Sequence, residues 1–181
     1  MRLATAFLAV LALGAATPAL AQAWPDKPVR LVVPYPPGGN VDTAARLVAP
    51  GLTQALGQPF IIENKAGAGG MIAGEFVAKS APDGYTLFFT ANGPLLFSPL
   101  IFGRSPYQWD KSFVAISSVS FTPLVLQVHP SLPAKTLAEL IALAKKEPGK
   151  LTMASPGAGT TNHLVSELLQ TATGAKSLSH W

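Results

Sequence analysis

Two glycine-rich turns dominate the chemistry that this chain can offer. The first, Tyr35-Pro36-Pro37-Gly38-Gly39-Asn40-Val41-Asp42, follows the short hydrophobic run Arg30–Pro34 and leads straight into an amphipathic stretch from Thr43 to Leu56. A strand, a tight turn and a helix start in that order leave unpaired N–H groups and the positive end of a helix dipole facing outward. Glycines let a small anion approach those N–H groups with no Cβ in the way. The second turn, Ser155-Pro156-Gly157-Ala158-Gly159-Thr160-Thr161, repeats the design between Leu151–Ala154 and a helical stretch from Asn162 to Thr173. Its glycines stand beside the hydroxyls of Ser155, Thr160 and Thr161, which can donate to carboxylate oxygens or simply cap the helix. For the first turn the alternative is an ordinary β-to-α loop with Asn40 or Asp42 as N-cap. Asp42 stands close to where an anion would sit, which suits a capping role or a water-mediated contact.

Other chemistries find no constellation. No Gly-x-Ser-x-Gly, Ser-x-x-Lys or His-Glu-x-x-His is present. The nine acidic residues are scattered, without a pair that reads as a glycosidase couple. Gly67-Ala68-Gly69-Gly70 departs from a dinucleotide fingerprint because Ile72 holds its sixth position, and no Gly-Lys-Ser/Thr forms a phosphate loop. His129, His163 and His180 have no partners at metal-ligand spacing. Neither a cofactor nor a metal is therefore expected. Two turns of this kind suggest an anion held between two lobes rather than bond-breaking chemistry.

The elements that position these turns alternate. Val29–Val33 reads as a first strand, Asp42–Leu56 as a helix ended by Gly57, and Phe60–Glu63 as a second strand. The glycine-rich turn Asn64–Gly70, a helix Met71–Lys79, the turn Pro82-Asp83-Gly84 and a third strand Tyr85–Thr90, expected to be buried on both faces, follow. This βαβαβ order argues for a parallel sheet with right-handed crossovers. Ala91–Pro94 reads as a loop, and Gly103–Asp110 as the passage out of a first lobe. Strands are expected at Phe113–Ser118 and Leu124–His129, and a helix Leu137–Lys146 with a Thr136/Glu139 capping box.

The composition narrows the class. Residues 1–21 read as an export signal: Arg2, the apolar run Leu3–Ala16, and a small-x-small site that places cleavage after Ala21, or after Ala23 on the neighbouring triplet. About 160 residues remain, enough for one domain. No cysteine is present, so neither a lipid-anchor cysteine nor a disulfide is available, and an exported chain of this kind fits a Gram-negative periplasm. Charged residues are only 12% of the chain, the net charge is +4, and no basic stripe suggests nucleic acid as a partner.

Taken as an ordered set, Trp24–Arg30, Pro36–Arg46, Glu63–Gly70, Ala81–Leu87 and Ser155–Leu164 resemble the Bug family, the periplasmic solute-binding receptors of tripartite tricarboxylate transporters. The likeness covers essentially all of Trp24 to Ala175. It implies an α/β, two-lobed, Venus-flytrap fold like that of periplasmic binding proteins, with residues 22–110 in lobe one and residues 111–181 in a partial lobe two. It also implies a small carboxylate in the cleft and a membrane permease as partner. On the same basis the ligand-binding residues are Pro37, Gly38, Gly39 and Asp42 from lobe one, and Ser155, Gly157, Gly159, Thr160 and Thr161 from lobe two. Ala91 and Asn92, at the end of the third strand, join them. One departure stands out. Family members are much longer, and the chain ends at Lys176–Trp181 where another strand and cleft loop are expected. Those last residues do not read as that strand. The expectation is a truncated receptor, with lobe two and the return to lobe one incomplete. The alternatives are a periplasmic α/β enzyme acting on a small carboxylic acid, or a non-functional fragment.

Overall fold

The computed structural model describes residues 24–175 and 178–180. The expected export signal and both cleavage positions lie outside the described residues. At the centre is strand β1 (Val29–Val33), flanked by β2 (Phe60–Asn64) and β3 (Thr86–Phe88) in a parallel sheet of order β2-β1-β3. Val29 lies opposite Phe60 and Leu31 opposite both Ile62 and Leu87. Helix α1 (Asn40–Leu56) connects β1 to β2, and α2 (Met71–Ala78) connects β2 to β3. Both connections are βαβ crossovers, as the alternation of elements predicts.

Packing explains which strand is central. Val29, Leu31, Val32 and Val33 are all buried, and Leu31 and Val29 join Ala49 of α1 and Phe60 of β2 in one apolar cluster. Val33, Val41 and Ala45 form a second cluster beside it, covered in part by Tyr35, Phe89 and Ala91. Full burial of a side chain such as Leu31 contributes roughly 1.5–3 kcal/mol. Gly57 ends α1 in the left-handed conformation (φ 75°), its N–H donating to Thr53 O. The structure corrects the expectation of a third strand buried on both faces. β3 runs only from Thr86 to Phe88 and is half-buried, because it lies at the edge of the sheet and pairs with β1 alone.

Two motifs far apart in sequence meet at the entrance to the sheet. Trp24 packs against Tyr85 with ring centroids 6.1 Å apart, and the Lys27 ammonium lies 4.2 Å from the Tyr85 ring centre. The Tyr85 hydroxyl donates to the Asp26 carboxylate. The segment before β1 is thereby strapped to the start of β3.

Beyond β3 the chain departs from several expectations. Residues 93–97 form a π-helical turn continued by α3 (Ser98–Ile101), so the expected loop Ala91–Pro94 is in fact the start of a helical segment. A short α4 (Trp109–Ser112) follows. The strands expected at Phe113–Ser118 and Leu124–His129 are not formed; residues 113–129 carry neither helix nor ladder, and residues 114–131 are all exposed. A strand is defined by a paired neighbour, and no described strand pairs with this segment. Helix α5 (Leu137–Lys146) starts at Thr136 with the expected capping box, Glu139 N–H donating to Thr136 Oγ1 at 3.2 Å. Strand β4 (Leu151–Met153), helix α6 (Thr161–Thr173) and strand β5 (Leu178–His180) then make a further βαβ unit, with β4 and β5 parallel. This corrects the reading of the chain's last residues: Leu178–His180 is a strand. Ladder pairing is a backbone interaction, so the polar sequence Leu-Ser-His is no obstacle to it.

Candidate functional site

The loops after β1, β2, β3 and β4 converge on one region. Its centre is Gly93, which is buried. A Cβ built on Gly93 would lie 3.1 Å from the Tyr35 hydroxyl, 3.1 Å from Gly159 O and 3.4 Å from Thr160 Cα. Beside it, a Cβ on Gly69 would meet Ser98 and come within 2.8 Å of Ala158 O, and one on Gly159 would press on Ser98 as well. Gly69 and Gly159 also hold positive φ (61° and 83°). Close backbone approach and left-handed conformation together make glycine necessary at both. Ser98 is fully buried, its Oγ 2.8 Å from Gly69 O and 3.0 Å from Gly159 O. One hydroxyl hydrogen thus joins the loop after β2 to the loop after β4.

Each predicted ligand-binding residue has a definite place. Pro37 and Gly38 are exposed, and Gly38 needs its glycine for φ 87°. Gly39, with an ordinary φ of −72°, is the N-cap of α1 and no side chain caps that end. The cap is therefore neither Asn40 nor Asp42, both of which lie inside the helix. Asp42 is 1% exposed, and its carboxylate accepts from three groups: Gly38 N–H (2.8 Å), Arg46 Nε (2.9 Å) and Asn64 Nδ2 (2.9 Å). The Arg46 guanidinium, followed by Gly38 N–H and Asn64, holds the Asp42 carboxyl well below the usual carboxylate range. Asn64 Nδ2 also lies 3.0 Å from Tyr35 O, to which it donates. One carboxylate and one amide thereby lock the β1 loop onto the end of β2. Because Arg46 offsets its charge, Asp42 does not leave the α1 N-terminus net negative.

The β4 loop is organised in the same way. Gly157 N–H donates to Ser155 Oγ (3.3 Å), Thr160 Oγ1 donates to Gly157 O (2.8 Å), and His163 N–H donates to Thr160 Oγ1 (3.3 Å). Thr160 is buried and is the N-cap of α6; Thr161 is its first residue and Gly157, at φ 121°, faces open space. The structure thus brings Gly159 and Thr160 against Gly93, next in sequence to Ala91 and Asn92. Pro37, Gly38 and Ser155 are not part of that contact. His163 sits 4.0 Å from Glu167 through Nε2, within its own helix.

Sequence reasoning missed several residues here. Gly69, Gly93 and Ser98 shape the junction, and Arg46 and Asn64 brace the first loop. Arg46 and Asn64 stand within the quoted motifs, and the i,i+4 spacing of Asp42 and Arg46 was a legible signal. Ser98 carried none. A separate open depression of about 530 Å³ lies between α1 and β2, lined by Arg46, Ala49, Thr53 and Phe60 among others.

Comparison with known proteins supplies the family context. A family model described as the tripartite tricarboxylate transporter family receptor matches residues 44–180. Protein BugT of Bordetella pertussis is 41% identical over 163 residues, covering 90% of this chain and 50% of that protein. Among solved structures, MatC from Rhodopseudomonas palustris with bound malate superposes with a TM-score of 0.80 at 31% identity, covering 87% of this chain and 54% of the other. A second R. palustris protein, with adipate, has a TM-score of 0.75 at 34% identity over 87% of this chain and 53% of its own. The periplasmic binding protein BugD has a TM-score of 0.64 at 32% identity over 86% and 52%. The α/β fold is thus that of the two-lobed periplasmic binding proteins. The chain spans about half the length of the curated relatives it matches, so about half of that fold is represented.

Proposed function

The chain belongs to the tripartite tricarboxylate transporter receptor family, and from that premise we propose that it serves as a periplasmic solute-binding receptor capturing a small carboxylate for a membrane permease. The observation that carries this reading is the convergence on Gly93 of the Tyr35 hydroxyl, Gly159 O and the α6 cap residue Thr160. Helix α6 begins at that junction and the N-terminus of α1, at the end of the Tyr35 loop, has no side-chain cap; N–H groups at helix N-termini favour anions. Two relatives of the same fold were solved with malate and adipate, and both are small dicarboxylates. Residues 22–110 are assigned to lobe one and residues 111–181 to lobe two, with the ligand between them.

Within this reading the predicted residues take different roles. Gly39 and Asn40 offer N–H groups from the α1 terminus, and Thr161 offers its own from α6. Ala91 and Asn92 line the cleft at the end of β3. Asp42, Ser155, Gly157 and Thr160 act by holding the loops in shape, since their polar groups are engaged within those loops. Pro37 and Gly38 shape the turn that presents Gly39. Export to the periplasm follows from the signal-like residues 1–21 and from the family. No helix among the described residues is long and apolar enough to cross a membrane.

Calorimetric titration of the chain with malate and with adipate tests the proposal. Saturable one-site binding of at least one acid, recovered unchanged, is the expected result. Conversion of the acid would favour the enzyme alternative, and stabilisation only by sugars or cations would remove the carboxylate reading. Gly39→Ala sharpens the site. Its Cβ would meet only Pro36 O, at an ordinary 3.6 Å, so the fold is retained while anion approach is hindered.

A further inference from the structure

We propose that the phenol of Tyr35 contacts the ligand, its hydroxyl donating a hydrogen bond to a carboxylate oxygen of the captured acid where the loops after β1, β3 and β4 meet. The inference rests on the receptor reading above and adds to it a side chain that determines which acids are held.

Four hydroxyls lie around the junction, and three are occupied. Ser98 donates toward Gly69 O and Gly159 O, Thr160 donates to Gly157 O, and Tyr107 donates to Pro94 O. The Tyr35 hydroxyl has no hydrogen-bond partner among the described residues. The ring is half-buried while the oxygen itself reaches solvent, so the hydroxyl is open to a ligand atom. Its surroundings are also rigid. The ring packs on the Val33, Val41 and Ala45 cluster, and the backbone carbonyl accepts from Asn64 Nδ2 at 3.0 Å. Burial pushes the phenol up to about 12, so it stays protonated and available as a donor throughout the physiological range. Gly93 lies close against the hydroxyl; a Cβ there would be 3.1 Å from it, tighter than an ordinary contact. A phenol donor, unlike a lysine or arginine, supplies a hydrogen bond without a charge. It therefore favours a carboxylate that already has N–H donors from a helix terminus on its other side.

The test uses the full chain labelled with ¹³Cζ-tyrosine, with malate and adipate as probes. Its three tyrosines give three resonances, and Tyr35→Phe identifies one of them. On titration with the acid, the Tyr35 resonance is expected to shift while those of Tyr85 and Tyr107 stay in place. Tyr35→Phe, which keeps the ring, should bind about tenfold more weakly with an unchanged unfolding midpoint. Gly93→Ala, whose Cβ would crowd the hydroxyl at 3.1 Å, should weaken binding in the wild-type background and much less in Tyr35→Phe. Equal affinity in Tyr35→Phe overturns the inference. So does a loss of affinity with the Tyr35 resonance unmoved at saturation, because the residue would then act only through the loop. If wild-type protein binds neither acid at millimolar concentration, the receptor reading fails first and this inference fails with it.

Discussion

The segment Phe113–Pro130 is richer in β-branched and aromatic residues than Val29–Phe88, yet only Val29–Phe88 forms a sheet. Leu31 and Val32 of β1 are 1% and 0% exposed; Val114 and Phe121 are 90% and 96% exposed. The difference is one of neighbours, not of propensity. β1 is paired on both edges through local crossovers, each closed by its own helix. Residues 113–129 are extended without a partner strand among the described residues. A β-favouring sequence states a capacity for pairing, and burial follows only where another strand and a covering layer complete it.

The largest effect that would sharpen this contrast is on core stability. Leu31→Ala should cost about 2–5 kcal/mol, whereas Phe121→Ala, exposed, should stay within ~0.5 kcal/mol. Denaturant unfolding of the two variants measures both. A large loss in Phe121→Ala would mean that the two regions are packed alike. Amide exchange gives an independent view: the β1 amides should be protected and those of residues 114–128 should exchange rapidly.

Next in size is the contact that ties the β4 loop, which lies beyond the second region, to the first. Gly159→Val adds a β-branched side chain at φ 83° against Ser98, and the strain and overpacking should cost roughly 2–3 kcal/mol. Ser98→Ala removes the shared hydroxyl and leaves Gly69 O and Gly159 O short of a donor, for about 1–2 kcal/mol. In both variants protease cleavage should increase between Phe113 and Thr136. Unaltered cleavage would show that the β4 loop does not anchor the second region.

A smaller effect concerns acid. The Asp42 carboxyl is held well below its ordinary value by Arg46, Gly38 N–H and Asn64, and that of Glu63 is lowered by Lys65 and then Arg30. As pH falls below about 4, the unfolded chain takes up protons that the folded chain refuses, so the stability from these pairs declines toward the folded-state values. Above that range it is fully present. Asp42→Asn should lower the midpoint at neutral pH and make the acid decline shallower, leaving the Glu63 part intact. A variant curve parallel to wild type would show that the Asp42 network contributes nothing to the contrast between the regions.

Much of the architecture was legible beforehand, for identifiable reasons. The βαβαβ order, the α1 stop at Gly57, the Thr136/Glu139 capping box and the bounds of α5 depend on contacts within a few residues, and local chemistry suffices for those. Glycine-rich turns at the ends of strands likewise marked the loops that meet at the candidate site. Which strand is central, whether β-favouring segments find partners, and whether Leu178–His180 pairs with β4 depend on residues far away in the chain. The same holds within the site. The turn sequence showed that backbone N–H groups could be offered near Gly39 and Thr161. Only the packed structure assigned Asp42 to Arg46 and Asn64, placed Ser98 between two carbonyls, and left the Tyr35 hydroxyl facing Gly93. Those assignments depend on which atoms approach within hydrogen-bond distance across sequence separations of 22 (Asp42 to Asn64) and 61 (Ser98 to Gly159). Local sequence carries no record of such distances, because they exist only once the β1, β2 and β4 loops have been brought together by the sheets that hold them.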